Sequence, residues 1–324
     1  MKHYLGIDIG GTKTAYGLFN EEKKLVAKYR IPTDTTLDGP AFFDGVLDFA
    51  RSFTEKYRIP LESMAGIGIG IPSFVHFETG HIVRTGSIPL IHNFPLRQYL
   101  RKKLSEQIAI AIDNDGNTGA LAELRQGAGR GFDHLVFCLV STGIGSGLII
   151  NRSIFRGSYG WAGESGHMLI NIPDNEYTLP RGLCGCNNEG CFNSMCSGKM
   201  IVHHVKWWIQ NGEHSILTEL AGDISQITAE HIGKAYFLGD ALAIRAVEQM
   251  AKYIAIWLYN TYLLLNINCF VFSGGLLSMG DVFLDLIKQQ FEQYNQSHDL
   301  VYFLKTKLDS DAGIIGAMEL LFDA

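Results

Sequence analysis

The sequence predicts an α/β protein made of two related halves. Residues 4–19 have the pattern of a strand, a glycine turn and a second strand, and the same order recurs at residues 135–150. Later segments place apolar residues three and four positions apart, which is the spacing of an amphipathic helix. A chain of 324 residues is also long enough for two domains, each with its own core.

The individual elements follow from apolar runs, helical periodicity and turn residues. In the first half we expect strands at residues 4–9, 14–19, 25–31 and 108–112, an apolar run at 65–71, and helices at 40–57, 95–106 and 117–126. In the second half we expect strands at 135–140, 148–150, 269–272 and 300–304, and helices at 192–210, 240–265, 281–294 and 313–321. We predict a small domain of residues 1–116, joined by a C-terminal helix at 312–324, and a larger domain of residues 117–311.

Composition narrows the class of protein. The chain is 19% charged and 47% hydrophobic, as globular proteins are, and its net charge of −6 without a basic stripe argues against nucleic acid as a partner. Residues 253–280 carry no charge, but three asparagines interrupt them, so we predict a buried helix and strand rather than a membrane span. The first apolar run is too short for a signal peptide and contains Asp8, so we expect a cytoplasmic protein.

The first hairpin carries an acid and two glycines at its turn. Asp8 lies inside an apolar strand, where a carboxylate is costly unless a cation or donor meets it. Gly10 and Gly11 follow, and glycines let backbone N–H groups approach an anion closely. Thr12 and Lys13 add a hydroxyl and a positive charge. We interpret this stretch as a phosphate-binding turn with a carboxylate near Mg²⁺; an ordinary tight hairpin is the alternative.

The second hairpin repeats the feature with a glycine-rich loop at residues 141–147. This loop includes Thr142, Gly143 and Gly145. Neither loop is followed by Gly-Lys-Ser or Gly-Lys-Thr, so neither is a Walker A motif. Two phosphate hairpins in two α/β halves indicate the actin-like ATPase (ribonuclease H-like) fold, with nucleotide in the cleft between the halves.

Three of the six cysteines cluster at Cys184, Cys186 and Cys191. His167 lies upstream and offers a fourth ligand. Three thiolates and one imidazole form a closed tetrahedral zinc set, which is structural because no coordination position remains open. Clustered cysteines in a chain of this size favour a metal site over disulfides. The other three are expected to be buried core thiols: Cys138, Cys196 and Cys269.

A strand end followed by a helix start places Asn114 and Asp115 where a carboxylate can be presented to a ligand. Phosphoryl transfer to a hydroxyl requires a base at such a position. Asp113 competes for that role. Alternatively, Asn114 or Asp115 simply caps the helix.

Nearly end to end, the chain resembles sugar kinases of the ROK family. The resemblance rests on the two phosphate motifs at residues 6–13 and 141–147, Glu-x-Gly-His at 164–167, the zinc cysteines, and a Ser-Gly-Gly turn at 273–275. It implies a hexose kinase that depends on ATP and Mg²⁺ and phosphorylates a sugar hydroxyl, with O6 as the first choice. It also implies a structural Zn²⁺ ion and a homodimer. It further implies that Asp115 is the base, that Asn114, Glu164 and His167 contact the sugar, and that Gly274 and Gly275 lie beside the adenosine.

Two positions depart from the family pattern. Asn193 stands where the family commonly has a sugar-binding Glu, and Ser73 stands where a Gly is usual. Both residues belong to the expected sugar pocket. The departures count against glucose and N-acetylated amino sugars as the preferred substrate, and a related hexose such as fructose, mannose or allose is the alternative.

Two rival functions come from other classes. The family includes sugar-responsive transcriptional repressors, which carry a helix-turn-helix segment before the first phosphate strand. Here that strand begins at Tyr4, and the chain is acidic. A non-catalytic sugar sensor is the second rival, which the presence of Asp115 and both phosphate loops disfavours.

Overall fold

The computed structural model describes residues 1–170, 184, 186, 188, 190–297 and 299–323. The chain forms two compact units. Unit 1 comprises residues 1–137, 147–163 and 306–324, and unit 2 comprises residues 138–146 and 164–305. The domain boundaries given by the sequence stay a prediction.

The predicted elements appear in the expected order, together with helices at Leu217–Ala221 and Ala229–Phe237 that the sequence did not indicate. The strands are β1 Tyr4–Ile9, β2 Lys13–Phe19, β3 Leu25–Pro32, β4 Gly66–Ile71, β5 Ser73–His76, β6 His81–Thr85, β7 His92–Phe94, β8 Ala109–Asn114, β9 Leu135–Val140, β10 Ile144–Ile150, β11 Ser153–Ile154, β12 Cys269–Ser273 and β13 Tyr302–Lys305. The helices are α1 Gly39–Glu55, α2 Leu96–Arg101, α3 Asp115–Arg125, α4 Phe192–Cys196, α5 Gly198–Gln210, α6 Leu217–Ala221, α7 Ala229–Phe237, α8 Ala241–Leu265, α9 Asp281–Glu292 and α10 Ala312–Glu319.

The main sheet of unit 1 has the strand order β3-β2-β1-β4-β8. β1 runs antiparallel to β2 and parallel to β4, and β4 runs parallel to β8. The register places Asp8 beside Gly70 and Gly70 beside Asp113. The first phosphate hairpin and the β8–α3 junction therefore lie at the same end of one sheet, where the parallel strands β1, β4 and β8 finish.

Alternate residues of β1 face opposite sides of this sheet. Leu5 and Ile7 join a core that includes the apolar stripe of α1. The buried residues of that stripe are Phe42, Phe43, Val46, Leu47, Ala50 and Phe53. Gly6 faces the other way, where a Cβ would overlap the carbonyl oxygen of Ile314 in α10. The last helix therefore packs closely on the first strand, and Asp8 points to the same side as Gly6.

Two further sheets complete the description. A five-stranded sheet has the order β11-β10-β9-β12-β13, with β10 antiparallel to β11 and β12 parallel to β13. A small antiparallel sheet, β5-β6-β7, belongs to unit 1. The sequence reasoning missed this small sheet because strands of three to five residues are too short for a period of two to stand out.

The helix predicted at residues 192–210 is interrupted at Ser197. The backbone of Ser197 is extended, with φ −78° and ψ 158°. The N–H of Gly198 donates to the carbonyl oxygen of Ser141 at 2.8 Å, outside the helix. The predicted helix is therefore two helices, α4 and α5. The residues between them hydrogen-bond to the glycine loop of the second hairpin.

The uncharged run at residues 253–280 forms the second half of α8 and then β12, as predicted. Within the described part of the chain, none of the helices combines the length and the apolar character that a membrane span requires.

Candidate active site

In unit 1, the β8–α3 junction presents the two residues proposed for catalysis. β8 ends at Asn114 and α3 begins at Asp115. The side-chain oxygen of Asn114 accepts from the N–H of Gly116 at 2.7 Å, and its amide donates to the carbonyl oxygen of Ser73 at 3.1 Å. Asn114 is thus the helix N-cap, as the alternative interpretation held. The cap fixes the backbone that carries Asp115, which is only partly buried.

Asp113 is held differently from Asp115. It is fully buried, and Arg156 Nε lies 2.8 Å from its Oδ2. Its Oδ1 accepts from the Asn117 amide and from the N–H of Asn114, both at 2.8 Å. Burial raises the pKa of Asp113, and the guanidinium of Arg156 opposes that shift. A carboxylate with both oxygens engaged inside the protein is a structural ion pair, so the geometry favours Asp115 as the base.

The ion pair extends to the C-terminal segment. Arg156 also contacts Asp323 Oδ2 at 3.0 Å, and the guanidinium stacks 3.6 Å from the centre of the Phe77 ring. Sequence reasoning missed Arg156. The available signal was an arginine two residues after the buried Ile154, since an arginine drawn into the interior is costly without a carboxylate partner.

Asp8 and Asp115 influence each other electrostatically. Burial, and after it the charge of Asp115, raises the pKa of Asp8 to about 7, while Arg30 and Lys13 act in the opposite direction. Burial also raises the pKa of Asp115 to about 6. A buried carboxylate that is hard to ionise alone is stabilised by a divalent cation, and carboxylate oxygens are the ligands Mg²⁺ prefers. Asp8 therefore fits the magnesium role expected of it.

Gly313 borders this carboxylate pair and was missed from sequence. A Cβ at Gly313 would overlap the carboxylate of Asp8. Glycine in the first turn of a helix lowers helix stability, so its presence in α10 was a signal of close approach. The start of the last helix is therefore shaped to admit Asp8.

The first glycine turn is compact and exposed at its tip. The N–H of Gly10 donates to the carbonyl oxygen of Lys13 at 2.9 Å, and Thr33 N–H donates to the carbonyl oxygen of Thr12 at 3.1 Å. Thr12 and Lys13 are exposed, and Gly11 packs against Ser87. The turn presents backbone, hydroxyl and ammonium groups together, as a phosphate site requires.

In unit 2, the second glycine loop is braced by hydrogen bonds. Ser141 N–H donates to Gly143 O at 2.9 Å, and Lys199 N–H donates to Thr142 O at 3.2 Å. Thr142 and Gly143 are exposed, while Gly145 is partly buried. Gly274 lies behind the loop with φ 109°, and a Cβ there would overlap the carbonyl oxygen of Val140, so only glycine fits. Gly275 follows it at the start of a short 3₁₀ turn.

The four predicted metal ligands come together in unit 2. The ligand atoms of His167, Cys184, Cys186 and Cys191 all lie within 4.8 Å of one another. His167 Nδ1 is 3.6 Å from Cys184 Sγ, and the three thiols are buried. Ligands about 2.3 Å from one zinc ion in a tetrahedron stand roughly 3.8 Å apart. The spacing and the donor set therefore fit a four-coordinate zinc ion. The remaining cysteines are buried elsewhere, as predicted: Cys138, Cys196 and Cys269.

The imidazole of His167 is held between the thiols and a carboxylate. Its Nδ1 faces Cys184, and its Nε2 lies 3.8 Å from Glu164 Oε2. Gly166 separates the two residues in a short 3₁₀ turn, where a Cβ would overlap the carbonyl oxygen of Ile144. Two of the three predicted sugar-binding side chains of unit 2, Glu164 and His167, are thus adjacent, and His167 belongs to the metal site.

Asn193 lies two residues after the last metal cysteine, Cys191. Its Oδ1 accepts from the N–H of Ile144 at 2.8 Å, and its Nδ2 donates to Cys184 Sγ at 3.5 Å. The structure thus connects Asn193 to the glycine loop and to a metal ligand. Its contact with a sugar stays a prediction, as does that of Ser73 in unit 1.

Comparisons with known proteins identify relatives over nearly the whole chain. The family model described as "ROK family" matches residues 4–324. A glucokinase from Halalkalibacterium halodurans is 30% identical over 317 residues, covering 97% of this chain and 93% of that protein. An N-acetyl-D-glucosamine kinase from Aliivibrio fischeri is 30% identical over 320 residues, covering 97% of each.

A solved structure is similar over the whole length. The ROK family glucokinase from Streptomyces griseus, in complex with glucose and AMPPNP, is 26% identical with a TM-score of 0.80, covering 98% of each chain. The predicted actin-like ATPase fold is confirmed. With the family model matched over nearly its full length, the chain belongs to the ROK family.

Proposed function

We propose that this chain is an ATP-dependent hexose kinase that transfers the γ-phosphoryl group to a sugar hydroxyl, most readily O6. The observation that carries the proposal is the β8–α3 junction: Asp115 is held at a capped helix start, its charge acts on the Asp8 carboxylate, and its own pKa is raised to about 6. A base of this kind suits removal of a proton from an alcohol near neutral pH. The kinase names of the relatives support the same reaction.

The remaining residues take supporting roles in this mechanism. Asp115 accepts the hydroxyl proton, and Asn114 orients the sugar. The turn from Gly10 to Lys13 and the loop with Thr142, Gly143 and Gly145 hold phosphate oxygens through backbone N–H groups. Asp8 would hold Mg²⁺, which when bound supplies positive charge to the phosphate oxygens. Gly274 and Gly275 lie beside the adenosine in this proposal.

The zinc site orients one of the proposed sugar contacts, His167. With Nδ1 of His167 committed to the metal, the ring orientation is fixed, and Nε2 points toward the side of Glu164. Glu164 and His167 are proposed to bind sugar hydroxyls as a pair. We further propose a cytoplasmic homodimer, following the family resemblance.

A panel of hexoses tests the proposed function. ADP release is measured with glucose, N-acetylglucosamine, fructose, mannose and allose, each with ATP and Mg²⁺. We expect at least one sugar to stimulate turnover. Sugar binding without any stimulated turnover would indicate a sensor instead, and no binding of sugar or nucleotide would reject the proposal. The position of the phosphate in the product identifies the hydroxyl.

The raised pKa of Asp115 predicts the acid limb of the pH profile. The base works only when deprotonated, and a carboxylic acid loses its proton as pH rises through its pKa. We therefore expect kcat/KM for the sugar to rise about tenfold per pH unit below about pH 6 and to level off above it. An Asp with an ordinary pKa would place this limb near pH 4. A limb at that lower pH would contradict the role given to Asp115.

A further inference from the structure

The side chain of Asn193 connects two sites that the sequence treats as separate. One end of its amide accepts from the backbone of the second glycine loop at Ile144, at 2.8 Å. The other end donates to the sulfur of Cys184, a ligand of the metal set, at 3.5 Å. An amide is the side-chain group that can accept and donate at once. A carboxylate in its place could accept from Ile144 but could not donate to the sulfur.

The rest of the same segment supports the loop as well. Gly198 N–H donates to Ser141 O at 2.8 Å, and Lys199 N–H donates to Thr142 O at 3.2 Å. On the other side, Ser165 and Ser146 share a hydrogen bond between their hydroxyls. The glycine loop is therefore held by the two stretches of chain that also carry the metal ligands His167 and Cys191.

Charge explains why a donor is favourable at Asn193. Three thiolates around one divalent zinc ion give a site of net charge about −1, and a nearby N–H donor stabilises that charge. A carboxylate at the same distance would oppose it. Binding of the metal therefore favours the orientation of Asn193 in which Oδ1 faces Ile144.

We propose that Asn193 is a positioning residue that couples the zinc site to the nucleotide loop, so that each ligand strengthens binding of the other. The inference rests on the proposed function, because it takes residues 141–147 as a phosphate-binding loop. Coupling between sites is reciprocal: if zinc strengthens nucleotide binding by some factor, nucleotide strengthens zinc binding by the same factor.

The test measures two binding constants without turnover. Calorimetry gives the affinity for a non-hydrolysable ATP analogue, and competition with a chelating dye gives the affinity for zinc, with and without the analogue. Asn193→Ala removes both contacts, so we expect about fivefold weaker analogue binding and about 10- to 100-fold weaker zinc binding. Asn193→Asp keeps the acceptor for Ile144, so we expect only zinc affinity to fall. The matched control is Asn188→Ala, which changes an exposed asparagine between Cys186 and Cys191 in the sequence. It should change neither the affinity for the analogue nor the affinity for zinc.

The outcomes separate the proposals. In the wild-type protein the analogue should raise zinc affinity, and Asn193→Ala should abolish that effect. Zinc affinity that is unaffected by the analogue in the wild type would overturn the coupling. So would an Asn193→Ala variant that weakens only hexose binding, since Asn193 would then be a sugar contact. If the wild type binds no analogue under any condition, the proposed kinase function fails instead.

Discussion

Replacing Asp115 with Asn should lower turnover about 10²- to 10⁴-fold while the protein still binds hexose and nucleotide. The amide keeps the size of the side chain and can still accept from the N–H of Gly116, but it cannot take a proton from the sugar hydroxyl. The measurement is steady-state ADP release with saturating ATP, beside direct titration of the sugar. The control is Asp133→Asn, which neutralises an exposed aspartate of unit 1 and should keep full turnover.

Retained turnover in Asp115→Asn would move the base elsewhere. Asp113 is a poor substitute, because both of its oxygens are occupied by Arg156, Asn117 and the chain itself. The capped junction at Asn114 should remain folded in the variant, and its circular dichroism spectrum should match that of the wild type. A loss of sugar binding together with turnover would assign Asp115 to substrate binding rather than to proton transfer.

Arg156→Met should lower the free energy of unfolding of unit 1 by about 3–5 kcal/mol. Methionine preserves much of the arginine stem and its packing on Phe77, but it leaves the buried Asp113 carboxylate without its cation. An unpaired buried charge costs far more than an exposed one. The shift of the denaturant midpoint, followed by tryptophan fluorescence and circular dichroism, gives the change in stability.

The chain offers a matched control for this change. Arg152 pairs with Asp133 at 3.5 Å on the surface, and both side chains are largely exposed, so Arg152→Met should change stability by no more than about 1 kcal/mol. The double variant Asp113→Asn with Arg156→Met removes the Asp113 charge together with its cation, and Asp323 keeps Arg125 at 3.6 Å, so this variant should recover part of the loss. Equal, small shifts for both arginine variants would show that the Asp113 pair does not stabilise unit 1.

Local patterns predicted most of the fold. The apolar stripe of α1 and the long helix α8 were recognisable because their periodicity extends over many residues. The metal ligands were recognisable because thiols at short spacing have few other uses in such a chain. The predictions failed where distant residues determine local structure. The helix break at Ser197 depends on the hydrogen bond from Gly198 N–H to Ser141 O, which the neighbouring sequence does not reveal.

The site was predictable to the same degree. The positions of Asn114 and Asp115 were predictable from a strand end and a helix start. What distinguishes them from Asp113 is the ion pair of Asp113 with Arg156, more than 40 positions away in the chain. The role of Gly313 beside Asp8 depends on the packing of the last helix against the first strand. Asn193 was assigned to the sugar by its place in a motif, whereas its contacts within unit 2 appear only in three dimensions.

The packing of α10 on β1 also sets the order in which the protein can fold during synthesis. The ribosome releases the first strand long before residues 306–324 exist, yet those residues cover Gly6 and Gly68 on one face of its sheet. Unit 2 lies between these segments in the chain, so it can fold while that face is still exposed to water. Closing unit 1 must then bring together the two ends of a very long loop, which is a slow step for contacts distant in sequence. During translation, an incomplete unit 1 would therefore be the aggregation-prone species that a chaperone must protect.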